Sequence, residues 1–263
     1  MEIGFEITRK CNMTCRHCMR GEAQNHTISK EVINKFFDEV KSAYRMIFTG
    51  GEPFLEPEMI AYIVDTIIER NIDIRTFSCV TNGSIMSQSI VDSWNRLSEY
   101  IAERHTPLDD AESERKYLRA IGSITVSDDA FHQLEHDPMD TVKWYRERLN
   151  KHCIIIKEIR KDEDKESRVH ILGRAAADEA LKDNDAAYYK VCPYRPEVED
   201  GVLKSCIMVG YDGKIMIGED SSYEQQDKYN YGNIMQAHVL TLIKKALQEE
   251  VFTREEAENY NLL

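Results

Sequence analysis

The sequence predicts an α/β fold, a partial (β/α)6 open TIM-like barrel followed by a small C-terminal β-hairpin and helix extension. Three observations predict it. Short β-branched and aromatic runs alternate with amphipathic helical stretches through residues 1–172, the pattern of a parallel sheet with right-handed helical crossovers. Six strands fit that span, whereas a closed eight-stranded barrel takes about 250 residues, so the barrel is left open. After residue 185 the pattern changes to short strands around a glycine turn. The expected division is therefore residues 1–185 as barrel and 186–263 as extension.

Each element has its own reason. Ile3, Phe5 and Ile7 alternate as a first strand, and Ser29 is placed to cap a helix that turns Val32, Ile33, Phe36, Phe37 and Val40 to one side. Met46–Phe48 is a short buried strand, and Pro57 opens a helix with Ile60, Ile63, Val64 and Ile67 inward. Ile72–Val80 is a third strand ending in Thr81-Asn82-Gly83, with Ile90, Val91, Trp94 and Leu97 on the helix after it. Residues 104–120 are polar and read as a lid or extra turn. Ile121–Ser127 is a fourth strand, Asp137-Pro138 starts another helix, Cys153–Ile159 is a fifth strand and Val169–Leu172 a short sixth. Ile207–Ile217 reads as a hairpin with Asp212-Gly213 as a two-residue turn.

Composition narrows the function. The chain of 263 residues is 42% hydrophobic, enough for one core with a small appendage. No apolar run is long enough for a membrane span. A formal charge of -13 argues against a phosphate-binding face, since nucleic acid is held by clustered Lys and Arg. The N-terminus enters a strand at once, without a signal-peptide pattern, so the expected location is cytoplasmic, with reduced cysteines. Arg9, Lys10, Arg16 and Arg20 form a local basic patch, either solvated loop charge or a dock for an acidic partner.

Three of the seven cysteines, Cys11, Cys15 and Cys18, fall in one loop straight after the first strand. Three close thiolates can ligate three irons of a 4Fe-4S cluster and leave the fourth open. A disulfide framework expects an even set, and structural zinc expects four ligands, usually in two pairs. His17 could complete a zinc site, which remains the alternative. The spacing C-x-x-x-C-x-x-C, with His17 before the last cysteine and Gly50-Gly51-Glu52-Pro53 after the second strand, resembles the signature of the radical S-adenosylmethionine (radical SAM) superfamily.

The resemblance implies one 4Fe-4S cluster on the three cysteines, S-adenosyl-L-methionine (SAM) on the open iron, and reductive cleavage to a 5'-deoxyadenosyl radical. It also implies an electron donor such as flavodoxin or ferredoxin. Gly50, Gly51, Glu52 and Pro53 match the methionine-binding motif, and His17 would pack near adenine. Asn82 and Ser127 can hydrogen-bond ribose or carboxylate, and Arg174, in a Gly-Arg-Ala similar to a late-barrel motif of SPASM proteins, matches the carboxylate. Asp129 and His132 are the candidate catalytic residues on the substrate side, and Glu158 and Arg160 are candidates for the interior. Cys79 and Cys153 read as core filler.

The C-terminal part, ending in Tyr231-Gly232-Asn233-Ile234, resembles a SPASM or twitch extension. With only Cys192 and Cys206, and Gly218, Glu219 and Asp220 after the hairpin, it lacks the thiolates for an auxiliary cluster. The resemblance implies a peptide or peptide-like substrate. No recognition segment is expected before the barrel, which keeps a small metabolite or nucleotide as an alternative, beside a non-catalytic zinc or iron-sulfur module.

Overall fold

The computed structural model describes residues 2–105, 120–129, 137–160, 169–170, 172–182, 187–188, 198–199, 202–203, 206–218 and 221–248; of residues 128–129, 157–160, 169–170, 180, 182, 187–188, 198–199, 202–203 and 246–248 it describes the backbone alone. Five strands alternate with four helices: β1 (Glu2–Thr8), α1 (Lys30–Glu39), β2 (Ser42–Gly50), α2 (Pro57–Glu69), β3 (Asp73–Thr81), α3 (Gln88–Ala102), β4 (Gly122–Asp129), α4 (Pro138–Arg146) and β5 (Cys153–Arg160). Shorter elements follow: β6 (Val169–His170), α5 (Glu179–Lys182), β7 (Ala187–Tyr188), β8 (Val198–Glu199), β9 (Val202–Leu203), β10 (Cys206–Val209), β11 (Ile215–Ile217), α6 (Tyr223–Lys228) and α7 (Val239–Gln248). The main sheet has seven strands in the order β11-β10-β1-β2-β3-β4-β5, all parallel except β11, which is the partial TIM-like arrangement expected.

Local chemistry sets the helix starts. Ser29 Oγ accepts from Val32 N at 3.3 Å, and Asp137 Oδ1 from Met139 N at 2.8 Å. Pro57 and Pro138 stand in the first turns of α2 and α4, where a missing N–H costs nothing.

Alternate strand residues pack outward under the helices. Ile3, Phe5, Ile7, Met46, Phe48, Phe77, Ile124 and Val126 join Ile33, Phe36, Ile63 and Trp94 in one buried cluster. Phe48 and Phe77 each stand 5.3 Å from the Trp94 ring. Cys79 and Cys153 belong to this cluster, where burial pushes the Cys79 thiol well up and that of Cys153 up to about 12. They are neutral filler, as expected. The opposite, inner face carries Thr49, Thr76, Ser78, Ser123, Thr125 and Ser127, with Val80 half-exposed.

Two expectations are corrected. The sixth strand does not join the main sheet: Val169 and His170 pair with Ala187 and Tyr188 in a separate two-stranded sheet, while the free edge of β1 is taken by β10, Glu2 opposite Cys206. The hairpin turn is longer than two residues, because Val209 pairs with Ile215 and Gly210 N donates to Lys214 O at 2.9 Å. Gly213, at φ +85°, closes the bend, its N donating to Gly210 O at 2.9 Å.

The last helix is capped from α1. Glu39 Oε2 accepts from Val239 N at 2.6 Å, and Oε1 faces Lys35 Nζ at 2.9 Å and His238 Nδ1 at 3.2 Å. Burial raises the Glu39 carboxyl, but Lys35, the Val239 N–H and His238 together outweigh it and hold the group below its ordinary range. A depressed carboxylate stabilises the fold above its unfolded pKa and loses that contribution as pH falls through the folded value. Glu39→Gln should speed hydrogen exchange at the Val239 amide at pH 7, and the wild type should approach the variant as pH falls through the lowered folded pKa, below the ordinary carboxylate range. Equal exchange at pH 7 would contradict the cap.

Candidate active site

Between β1 and α1 the chain has no helix or strand, so its loop, residues 9–29, is held by neighbours. Its two ends are tied to each other: Arg9 N donates to His26 O, Gln24 N to Arg9 O and Ile28 N to Ile7 O. Cys11, Cys15 and Cys18 are reduced thiols outside any disulfide and are half-buried, with Cys18 N donating to Cys15 O at 3.2 Å. Desolvation raises the Cys11 thiol; a backbone hydrogen bond from Met13 and the charge of Arg174 oppose it, while Glu52 and Cys18 add to it. Such a thiol is not an activated nucleophile, and a soft metal would draw off its proton. Among the described residues no three His, Cys, Asp or Glu side chains converge closely enough to hold a single metal ion. Three thiols from one loop suit a cluster that takes one thiolate on each of three irons.

The glycine turn after β2 abuts this loop. Gly51 N donates to Thr8 O and Glu52 N to Lys10 O, both at 2.8 Å. A Cβ on Gly51 would stand 2.3 Å from Lys10 O, and one on Gly50 2.2 Å from Thr8 O. The backbone these glycines approach is thus the chain's own. Glu52 is fully buried, and its carboxylate accepts from Phe54 N (3.0 Å), Thr81 Oγ1 (2.8 Å) and Asn82 N (2.7 Å). It ties the β2 turn to the end of β3. Pro53 opens the short 3-10 turn Pro53–Leu55, whose Phe54 packs on Trp94.

Asn82 Nδ2 donates to Asn12 Oδ1 at 2.9 Å, Asn12 Nδ2 to Ser84 Oγ at 2.8 Å, and Ser84 Oγ to Asn82 Oδ1 at 2.6 Å. This three-membered ring binds the end of β3 to the residue after Cys11. Asn12 and Ser84 escaped the sequence reading, although Asn82 flagged the place. From the other side, Arg174 N donates to Cys18 O at 2.9 Å, and Gly173, at φ +54°, lies so close to Gly21 that a Cβ would stand 2.4 Å from its nitrogen. Arg174 Nη1 is 3.4 Å from Glu22 Oε2, while its Nε is buried without a partner among the described residues. An orphaned donor beside the thiols suits an anionic group.

The other expected residues are placed unevenly. His17 is half-buried between Cys15 and Cys18, and Ser127 is half-buried near the end of β4. Asp129 ends β4, with its side chain outside the described residues, as are those of Glu158 and Arg160; His132, Cys192, Glu219 and Asp220 lie outside altogether. The basic patch does not stand free. Arg9 and Arg20 are buried, Lys10 pairs with Glu56 at 2.7 Å, and Arg16 binds Asp178 through Nε at 2.7 Å and Nη2 at 3.0 Å.

Gly51→Ala should force the turn away from Lys10, costing about 1–3 kcal/mol of stability and reducing iron uptake. Denaturant unfolding and iron analysis check this, and a variant equal to wild type in both would contradict the close approach.

Comparison with known proteins accords with this geometry. The family model described as the Radical SAM superfamily matches residues 5–169. No curated protein matches. Among solved structures, one described as "Native anSMEcpe with bound AdoMet and Cp18Cys peptide" matches with a TM-score of 0.53 and 14% identity, covering 95% of this chain and 80% of that one. At that identity the likeness speaks for the fold. With more than half of its length matched by the family model, the chain belongs to the radical SAM superfamily, and is an enzyme whose cofactors are a 4Fe-4S cluster and SAM.

Proposed function

We propose that Cys11, Cys15 and Cys18 hold the cluster and that SAM lies between the Gly50–Pro53 turn, Asn82, Ser127 and Arg174, with His17 beside the adenine. The observation that carries this reading is the convergence of the glycine turn, the end of β3 and the Gly173-Arg174 turn on one loop of half-buried thiols. When bound, the cluster and SAM supply the electron transfer that yields a 5'-deoxyadenosyl radical. The protein's part is to place the groups and exclude competing donors. Arg174 supplies a buried donor for the methionine carboxylate, and Glu52 holds the β2 turn and the end of β3 in register. Asp129 and His132 stand as substrate-side residues, contacting a hydroxyl or amine and moving a proton. A small donor such as flavodoxin or ferredoxin would deliver the electron.

The substrate we infer is a peptide or peptide-like molecule, modified at a C–H bond by cross-linking, epimerisation or another functionalisation. The fold likeness to a protein solved with bound AdoMet and a peptide supports this. The hydroxyl-lined inner face around Ser78, Ser123 and Thr125 favours a second reading, a small polar metabolite or nucleotide. Deuterium transferred from labelled peptide into 5'-deoxyadenosine supports the first; transfer from a nucleotide but never from a peptide rejects it.

Residues 186–263 we read as a twitch-like extension without an auxiliary cluster. Cys206 supports this, being buried with Ile47, Met208 and Met216.

Cys15→Ala should lose both the iron and the formation of 5'-deoxyadenosine; full activity in that variant would refute the assignment. Arg174→Ala should keep about four irons per chain while weakening SAM binding about tenfold or more, the worth of a charge-assisted hydrogen bond. Unchanged SAM affinity by equilibrium binding would remove Arg174 from the site.

A further inference from the structure

Arg9, two residues before Cys11, has a side chain only 2% exposed. All five of its N–H groups are matched. Nε donates to Glu6 Oε2 at 3.0 Å; Nη1 donates to Gln24 Oε1 at 3.0 Å and Asp227 Oδ2 at 3.2 Å; Nη2 donates to Gln226 Oε1 at 3.0 Å and Asp227 Oδ1 at 3.2 Å. Its guanidinium also lies over two aromatic rings, 4.7 Å from the centroid of Tyr211 and 4.6 Å from that of Tyr223. Only a planar fork of five donors can meet such a set.

Four of these six partners, Tyr211, Tyr223, Gln226 and Asp227, come from the C-terminal hairpin turn and α6. The same segment holds the far side of the loop. Arg20 Nη1 donates to Ser221 O at 2.8 Å, and Arg20 O accepts from Tyr223 N at 2.9 Å. Tyr211 also stacks on His26, with ring centroids 4.5 Å apart and planes within 5°. The cysteines are thus bracketed by two buried arginines, both anchored on the segment from Tyr211 to Asp227.

We propose that residues 206–218 and 221–228 serve as a clamp on the cluster-ligating loop, with Arg9 as the positioning residue that fixes the spacing of Cys11 from Cys18. This rests on the reading of the three cysteines as cluster ligands. A loop without regular structure loses about 1–2 kcal/mol of backbone entropy per residue on ordering. The clamp meets that cost on folding, before any metal arrives, so the thiols are presented to iron in place. Arg9 acts through geometry more than through net charge, because Glu6 and Asp227 offset its charge, and Lys214 stands 3.4 Å from Asp227 and 2.9 Å from Asp212.

The test uses the full chain, reconstituted anaerobically with iron and sulfide, in three variants. Arg9→Lys keeps the charge but has three donors and no plane. Asp227→Asn alters a half-exposed partner and leaves the loop untouched. Cys15→Ala is the control for the site. Two readouts are taken: iron per chain, and the rate of iron loss to a chelator well below the unfolding temperature, which a general loss of stability would not move. Arg9→Lys should bind no more than about half the wild-type iron and release it about tenfold faster, and Asp227→Asn should follow in the same direction, since each loses charge-assisted hydrogen bonds. Wild-type iron and release rates in both, with iron lost in Cys15→Ala, would overturn the clamp and leave the cysteine assignment standing. Full iron in Cys15→Ala would instead overturn the assignment on which the clamp rests. Should Arg9→Lys not fold, Asp227→Asn decides by the same two readouts.

Discussion

The backbone pair in which Gly51 and Glu52 donate to Thr8 and Lys10 is the contact on which the rest of the site depends. It fuses the exit of β1 to the exit of β2 at a distance only glycine permits. Glu52 carries that junction into β3 through Thr81 and Asn82, and Asn82 returns it to the loop through Asn12. The result is a closed circuit of hydrogen bonds around the residues that precede and follow Cys11. Apart from the two backbone bonds its members use side chains, so each of those needs a particular residue type.

Charge in this acidic chain is arranged by burial and not by patches. The four basic residues of the loop each meet a partner: Arg9 in a saturated cage, Arg20 on a carbonyl, Lys10 on Glu56 and Arg16 on Asp178. The donor beside the thiols that keeps a buried nitrogen unpartnered among the described residues is Arg174. Exposed pairs such as Arg16–Asp178 contribute little, being solvated and screened. A buried arginine with incomplete partners would be costly, so the completeness of the Arg9 set matters more than the number of ion pairs.

Much of this was legible in the sequence. Helical periodicity with Ser29, Pro57 and Asp137 at the starts located α1, α2 and α4, and the order of cysteine loop and glycine turn located the site. The sixth strand misled because so short a run makes too brief a pattern to name a partner, and β1 found its neighbour in β10 instead. Asp212-Gly213 misled because it carries the signature of a two-residue turn, while Tyr211 is drawn to Arg9 and His26. Arg9 and Arg20 read as solvated loop charges or as a dock for an acidic partner, because their partners lie about two hundred residues away in sequence. Local pattern carries no trace of a contact that distant.

The account centres on a three-thiolate cluster whose open position faces the SAM site. Its most direct measurement is the electron paramagnetic resonance spectrum of the reconstituted, reduced protein with and without SAM. The account predicts about four irons per chain and a spectrum that changes when SAM is added. A cluster spectrum indifferent to saturating SAM would contradict it.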